Sequence, residues 1–65
     1  MIFDIAEDIL NANDLHPAAY ADYARREWPA ATDKQIAQAV FIARLGWDEL
    51  ETLYNMSLAL SGDAQ

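Results

Sequence analysis

Apolar residues recur three and four positions apart along the whole chain, and no segment alternates between apolar and polar residues over the length of a strand. In the first segment, Ile2, Ile5, Ala6 and Ile9 follow this spacing. Such a spacing places apolar side chains on one face of an α-helix, with polar side chains on the other. The sequence therefore predicts an all-α fold.

Residues that start or end helices divide this pattern into three to four short helices. Together these helices are expected to form one compact single domain, residues 1–65. Pro17 is tolerated in a first helical turn, and Pro29 should end the same helix. Thr32 and Gln35 form a capping box, and Gly46 is placed to end the third helix in a left-handed cap. The predicted helices span about 2–12, 17–28, 33–45 and 48–60, and 61–65 is expected to be a frayed tail.

The third predicted helix is apolar on two sides. One side carries Ile36, Ala39, Val40 and Ala43, and the other carries Phe41, Ile42 and Leu45. A helix apolar nearly all round is buried on all sides or touches a second chain. The patch of Phe41, Ile42 and Leu45 is therefore part of the core, a homodimer seam or a site for another protein. Because a chain this short buries little surface alone, we expect a homodimer.

The fourth predicted helix begins with acidic residues and continues with an apolar side. Negative charge suits the first turn of a helix because of the helix dipole. The side chains expected to face inward on this helix are Leu50, Leu53, Tyr54, Ser57 and Leu58.

Charge is distributed very unevenly. The 65 residues include 11 acidic and 4 basic residues, and the net charge is −7. All cations lie between residues 25 and 44, so the segments on either side are purely acidic. Such a field repels nucleic acid and anionic membranes and favours basic protein surfaces. The candidate partner-binding residues, all expected to face solvent, are Asp4, Glu7, Asp8, Asp48, Glu49 and Glu51. A purely solubilising role is the competing interpretation.

Several classes of function find no support in the residues. His16 is the single histidine and no cysteine is present, so we expect no enzyme, no metal site and no cofactor. The last helix has the position of a DNA-reading helix but carries no cation, which argues against direct nucleic-acid binding. The acidic N-terminus and the short apolar runs indicate neither a secretory signal nor a membrane span, and we expect a cytoplasmic protein.

A very short, acidic, cysteine-free helical chain without catalytic residues resembles the small phage-encoded inhibitors of host proteins. The anti-CRISPR proteins are the best-known group, and several of them mimic nucleic acid. The resemblance concerns overall character, so no residue roles carry over. It implies an inhibitor or regulator that occludes a basic, nucleic-acid-binding surface of a partner protein. The alternative is a homodimeric structural or assembly module that acts through an apolar helix seam.

Overall fold

The part of the chain that the structure describes forms four α-helices and one 3-10 turn. The structure, a computed structural model, describes residues 1–12 and 14–63, and side chains only up to residue 59. Within this range there is no strand, and the all-α prediction is confirmed. In chain order the elements are α1 (Ile2–Asn11), the 3-10 turn (Pro17–Ala19), α2 (Tyr20–Glu27), α3 (Asp33–Leu45) and α4 (Trp47–Asp63).

Local side-chain hydrogen bonds begin two of these elements. The Gln35 amide donates to Thr32 Oγ1 at 3.1 Å and the Thr32 amide donates to Gln35 Oε1 at 2.9 Å, which confirms the capping box of α3. The Ala18 amide donates to Nδ1 of His16 at 3.1 Å, so this histidine caps the 3-10 turn. Part of the predicted second helix is therefore 3-10, and α2 itself begins at Tyr20.

The last two helices differ from prediction at their ends. Gly46 has φ 101° and ψ −179°, so its φ is positive as expected but its backbone is extended rather than left-handed helical. This conformation is essentially restricted to glycine, and it lets α4 begin at the next residue. α4 continues through Asp63, so residues 61–63 of the predicted tail belong to this helix. Ala64 and Gln65, the rest of the predicted tail, lie outside the described residues.

The core lies mainly between α1 and α3, with one residue each from α2 and α4. Alanines on the facing sides let these helices approach closely, and isoleucines fill the space beside them. Ile42 belongs to this core and is only 8% exposed, because it shares a helical face with Ala39 and Ala43. Of the predicted apolar patch, Phe41 and Leu45 remain on the surface. The buried residues are Ile5, Ala6, Ile9, Ala24, Ile36, Ala39, Ile42, Ala43 and Leu50.

α4 is only partly covered by the rest of the molecule. Leu50 is buried and Leu53 is half-buried, but Ser57 and Leu58 are exposed, so the inward orientation predicted for these two is wrong. Tyr54 faces α1, where its ring contacts Phe3, but it is exposed rather than buried. The reason is length. The 17 residues of α4 span about 25 Å, whereas the 10 residues of α1 span about 15 Å, so α1 cannot cover the whole of α4.

Candidate functional site

Asp8 lies on the side of α1 that faces α2. The hydroxyl of Tyr23 donates to Asp8 Oδ1 at 3.2 Å, and Nε1–H of Trp28 donates to Asp8 Oδ2 at 3.1 Å. The expectation that Asp8 faces solvent is therefore wrong, because its half-buried carboxylate joins α1 to the end of α2. Partial burial and the charge of Asp8 both raise the pKa of Tyr23 above its usual value. Asp8 is a structural carboxylate rather than a free surface charge.

On another side of α1, a cleft of about 300 Å³ separates this helix from the beginning of α4. Three carboxylates and three aromatic rings line it. The acidic–aromatic cleft, as we name it, is lined by Phe3, Asp4, Glu7, Trp47, Leu50, Glu51 and Tyr54. Its residues follow helical spacing on both walls, which is why they share one face of each helix.

The aromatic residues give the cleft an ordered apolar surface. The rings of Phe3 and Tyr54 meet edge to face, with centroids 5.7 Å apart and an angle of 78° between the ring planes. Leu50 on the α4 wall is buried, and the Trp47 side chain is half exposed at 48%. Ring faces therefore remain available to a bound group.

Most of the negative charge in the cleft has no compensating partner among the described residues. No cation lines it, and among the described residues neither Glu7 nor Glu51 has a hydrogen-bond or ion-pair partner. Asp4 lies 3.6 Å from the amino group of Met1, and both groups are exposed to solvent. The cleft is consequently a concave negative surface over aromatic rings.

The basic residues occupy a different part of the molecule. Arg25 and Arg44 line a separate groove between α2 and α3, and Arg25 Nε lies 3.9 Å from Asp33 Oδ1. This separation gives the fold an acidic side and a side of mixed charge.

Of the six predicted acidic residues, the structure brings three together. Asp4 and Glu7 meet Glu51 across the cleft, although the sequence places them in two distant segments. Asp48 and Glu49 are exposed in the first turn of α4 and lie outside the cleft lining.

Sequence reasoning missed the aromatic part of the site. Phe3 lies beside Asp4, and Trp47 and Tyr54 lie four residues before and three residues after Glu51. Spacings of three and four put side chains on one helical face, so these positions could have identified a joint aromatic and acidic surface.

This arrangement is suited to binding an organic cation. A guanidinium or ammonium group gains from stacking on an aromatic face, best on tryptophan, and from pairing with carboxylates. The described residues contain no group of three or more His, Cys, Asp or Glu placed to hold a metal ion. A positively charged side chain of another protein fits the site chemically.

Comparisons with known proteins add no assignment. No family model, curated protein or solved structure matches this chain. Among the helices described, none has both the length and the apolar character required to cross a membrane.

Proposed function

We propose that this chain is a small protein-binding inhibitor or regulator, and not an enzyme, that acts in the cytoplasm on a partner with a basic surface. An arginine or lysine side chain of the partner enters the acidic–aromatic cleft. The observation that carries the proposal is the convergence of Asp4, Glu7 and Glu51 with three aromatic rings in one cleft that no lysine, arginine or histidine side chain lines.

The expected energetics favour arginine over lysine. The planar guanidinium stacks on an aromatic ring and pairs with a carboxylate through two parallel hydrogen bonds, whereas an ammonium acts as a point charge. A cation–π contact contributes about 0.5 to 2 kcal/mol, depending on how far the cation is desolvated. One inserted arginine can therefore anchor an interface whose remaining contacts are weaker.

Occlusion is the mechanism that follows from this charge distribution. Once the cleft holds one basic side chain, Asp48 and Glu49 at the nearby start of α4 face the rest of the partner's basic surface. Such rim charges mainly increase the association rate. A bound acidic domain covers a nucleic-acid-binding groove and excludes its ligand, the mode of action that the resemblance to anti-CRISPR proteins implies.

Titration with an arginine-rich peptide tests the cleft directly. The chain has two tryptophans, and Trp28 donates its indole N–H to Asp8 outside the cleft, so its NMR signal is an internal reference. We expect a hexa-arginine peptide to shift the indole signal of Trp47 and to leave that of Trp28 nearly unchanged. A hexa-lysine peptide should bind more weakly, and a neutral hexa-glutamine peptide should give no shift.

Two double variants separate the cleft from general acidity. Glu7→Gln with Glu51→Gln neutralises two cleft carboxylates, and Asp48→Asn with Glu49→Gln removes the same charge outside the cleft. We expect the cleft variant to weaken peptide binding about tenfold, or about 1.4 kcal/mol, and the rim variant to weaken it less than threefold. Equal losses in the two variants would show that net charge alone attracts the peptide, and the cleft proposal would be wrong.

A further inference from the structure

The distal part of α4 carries no charge although the chain as a whole is strongly charged. Residues 52–62 contain neither an acid nor a base, and the first eight of them, 52–59, form what we call the uncharged arm. Within the arm only Leu53 is half-buried, while Met56 is 57% and Leu58 is 51% exposed. Met56 lies on the side of the helix opposite to Tyr54 and Leu58, so two sides of the arm are apolar. A helix of this kind is normally buried.

The radius of gyration and the accessible surface of the chain also indicate that part of α4 is left uncovered. A 65-residue domain has an expected radius of gyration of about 10.7 Å, whereas the Cα atoms of this chain give 12.2 Å. Its accessible surface is 4633 Å², against about 4200 Å² for a folded monomer of this mass. The excess is roughly half of the ~800 Å² that each partner buries in an interface of standard size.

The same chain presents a concave surface that also lacks charge. An open groove of about 450 Å³ lies between α1 and α3. Phe41 lines this groove and, at 63%, is the most exposed of the large hydrophobic residues whose side chains the structure describes. The lining of this charge-free groove consists of Ile2, Phe3, Ala37, Gln38, Phe41 and Ile42.

We propose that two copies of this chain associate, with the uncharged arm of each copy lying in the charge-free groove of the other. Each copy carries a net charge of −7, so contact between two copies is opposed wherever their acidic surfaces meet. The arm and the groove are the surfaces on which this repulsion is smallest. A basic protein, by contrast, gains no charge pairing from a groove lined by neutral residues, which argues for a second copy as its occupant.

The positions of the two surfaces permit a closed dimer. Phe3 lines the groove, and its ring also contacts Tyr54 at the beginning of the arm, so groove and arm are neighbours. One two-fold axis can then pair the arm of each copy with the groove of the other, which closes the assembly at two subunits. An apolar helix lying in an apolar groove is a common mode of recognition. This interface differs from the one predicted from α3 alone, because Ile42 is buried in the core and α4 supplies the helix that enters the groove.

Light scattering of the purified protein over two decades of concentration tests association. We expect a dimer whose population is maintained or increased between physiological salt and about 1 M salt, since screening weakens the repulsion between the acidic copies. Phe41→Asp in the groove and Leu58→Asp in the arm should each raise the dissociation constant at least tenfold. Ala30→Asp adds the same charge at an exposed position outside both surfaces and should leave it within threefold.

Cross-linking tests the proposed pairing of surfaces. The native chain has no cysteine, so single substitutions give unambiguous thiols. A mixture of Met56→Cys and Ala37→Cys proteins should form arm-to-groove cross-links between different chains, whereas Ala30→Cys should not replace Ala37→Cys. A monomer at all concentrations, a dimer insensitive to both Asp variants, or the absence of arm-to-groove cross-links would overturn the proposal. Phe3 and Tyr54 also line the cleft, so peptide titration of the Phe41→Asp protein, whose cleft lining is unchanged, tests the cleft separately.

Discussion

The two polar sides of α1 use the same kind of side chain for different purposes. Asp8, on the side facing α2, accepts hydrogen bonds from Tyr23 and Trp28. Glu7, one position earlier and about 100° around the helix, is exposed and lines the cleft toward α4. The Asp8 carboxylate contributes to the fold, whereas the Glu7 carboxylate remains exposed to solvent. Net charge therefore overstates how much of the acidic surface is available for binding.

The same division holds on α3, where adjacent apolar residues have opposite environments. Ile42 is buried against α1, and Phe41 stands in the open groove. The molecule thus has a structural side, where polar and apolar groups contact one another, and an exposed side, where they do not. We compare the effect of substituting a residue that stabilises the fold with the effect of the same kind of substitution at an exposed position.

The largest contrast is expected on α3. Ile42→Asp places a charge in the core without a partner and should unfold the chain or destabilise it by about 4 kcal/mol or more. Phe41→Asp should leave the folded monomer intact, because the side chain is already exposed. Circular dichroism and urea denaturation, both at low protein concentration to limit association, measure the difference. Similar free energies of unfolding for the two variants would contradict the assignment of Ile42 to the core.

The next contrast compares the two aspartates of α1. Asp8→Ala removes the acceptor for both Tyr23 and Trp28 and should lower the free energy of unfolding by about 1 to 2 kcal/mol. Asp4→Ala removes an exposed charge and should change it by less than about 0.5 kcal/mol. Thermal unfolding resolves this difference, since 1 kcal/mol corresponds to about 4 to 8 °C in a domain of this size. If the two aspartates had equal effects, the structural role of Asp8 would be refuted.

Whether the role of a side chain could be predicted from the sequence depends on whether its partners are close to it in the sequence. The cap at Thr32 and the end of α2 before Pro29 follow from residues within one helical turn, and both were predictable. The partners of Asp8 lie 15 and 20 residues away, so its environment depends on how α1 rotates against α2. Periodicity limits such a rotation but does not determine it.

The candidate site was predictable only in part for the same reason. Its acidic residues were identified from charge, but whether Asp4 and Glu7 meet Glu51 depends on the packing of α1 against α4. Ile42 was assigned to the wrong side of α3 because that helix is apolar on both sides, so the sequence pattern defines no single inward face. Amphipathic α1, by contrast, has a core face that its sequence defines clearly.

A smaller effect is expected from the cap of α3, which belongs to the structural side. Thr32→Ala leaves the amide of Gln35 without its acceptor and should cost about 1 kcal/mol. Thr52→Ala, at an exposed position inside α4, is the chemical match and should be neutral or slightly stabilising, because alanine is the better helix former. Equal melting temperatures for the two variants would mean that the capping box contributes nothing.

The smallest effect concerns the pH dependence of the contact between Asp8 and Tyr23. Partial burial and the neighbouring carboxylate raise the pKa of Tyr23 in the folded state, so the unfolded chain loses this proton first as pH rises. The resulting contribution to stability is complete below the ordinary tyrosine pKa and is lost as pH rises through the raised value. Tyr23→Phe should remove this part of the alkaline decline, as shown by urea denaturation of both proteins across that pH range. In the Asp8→Ala background the same substitution should change the pH dependence less, because the carboxylate that contributes to the shift is gone. An equal change in both backgrounds would show that Asp8 does not influence Tyr23, and it would weaken the contrast between the two sides of α1.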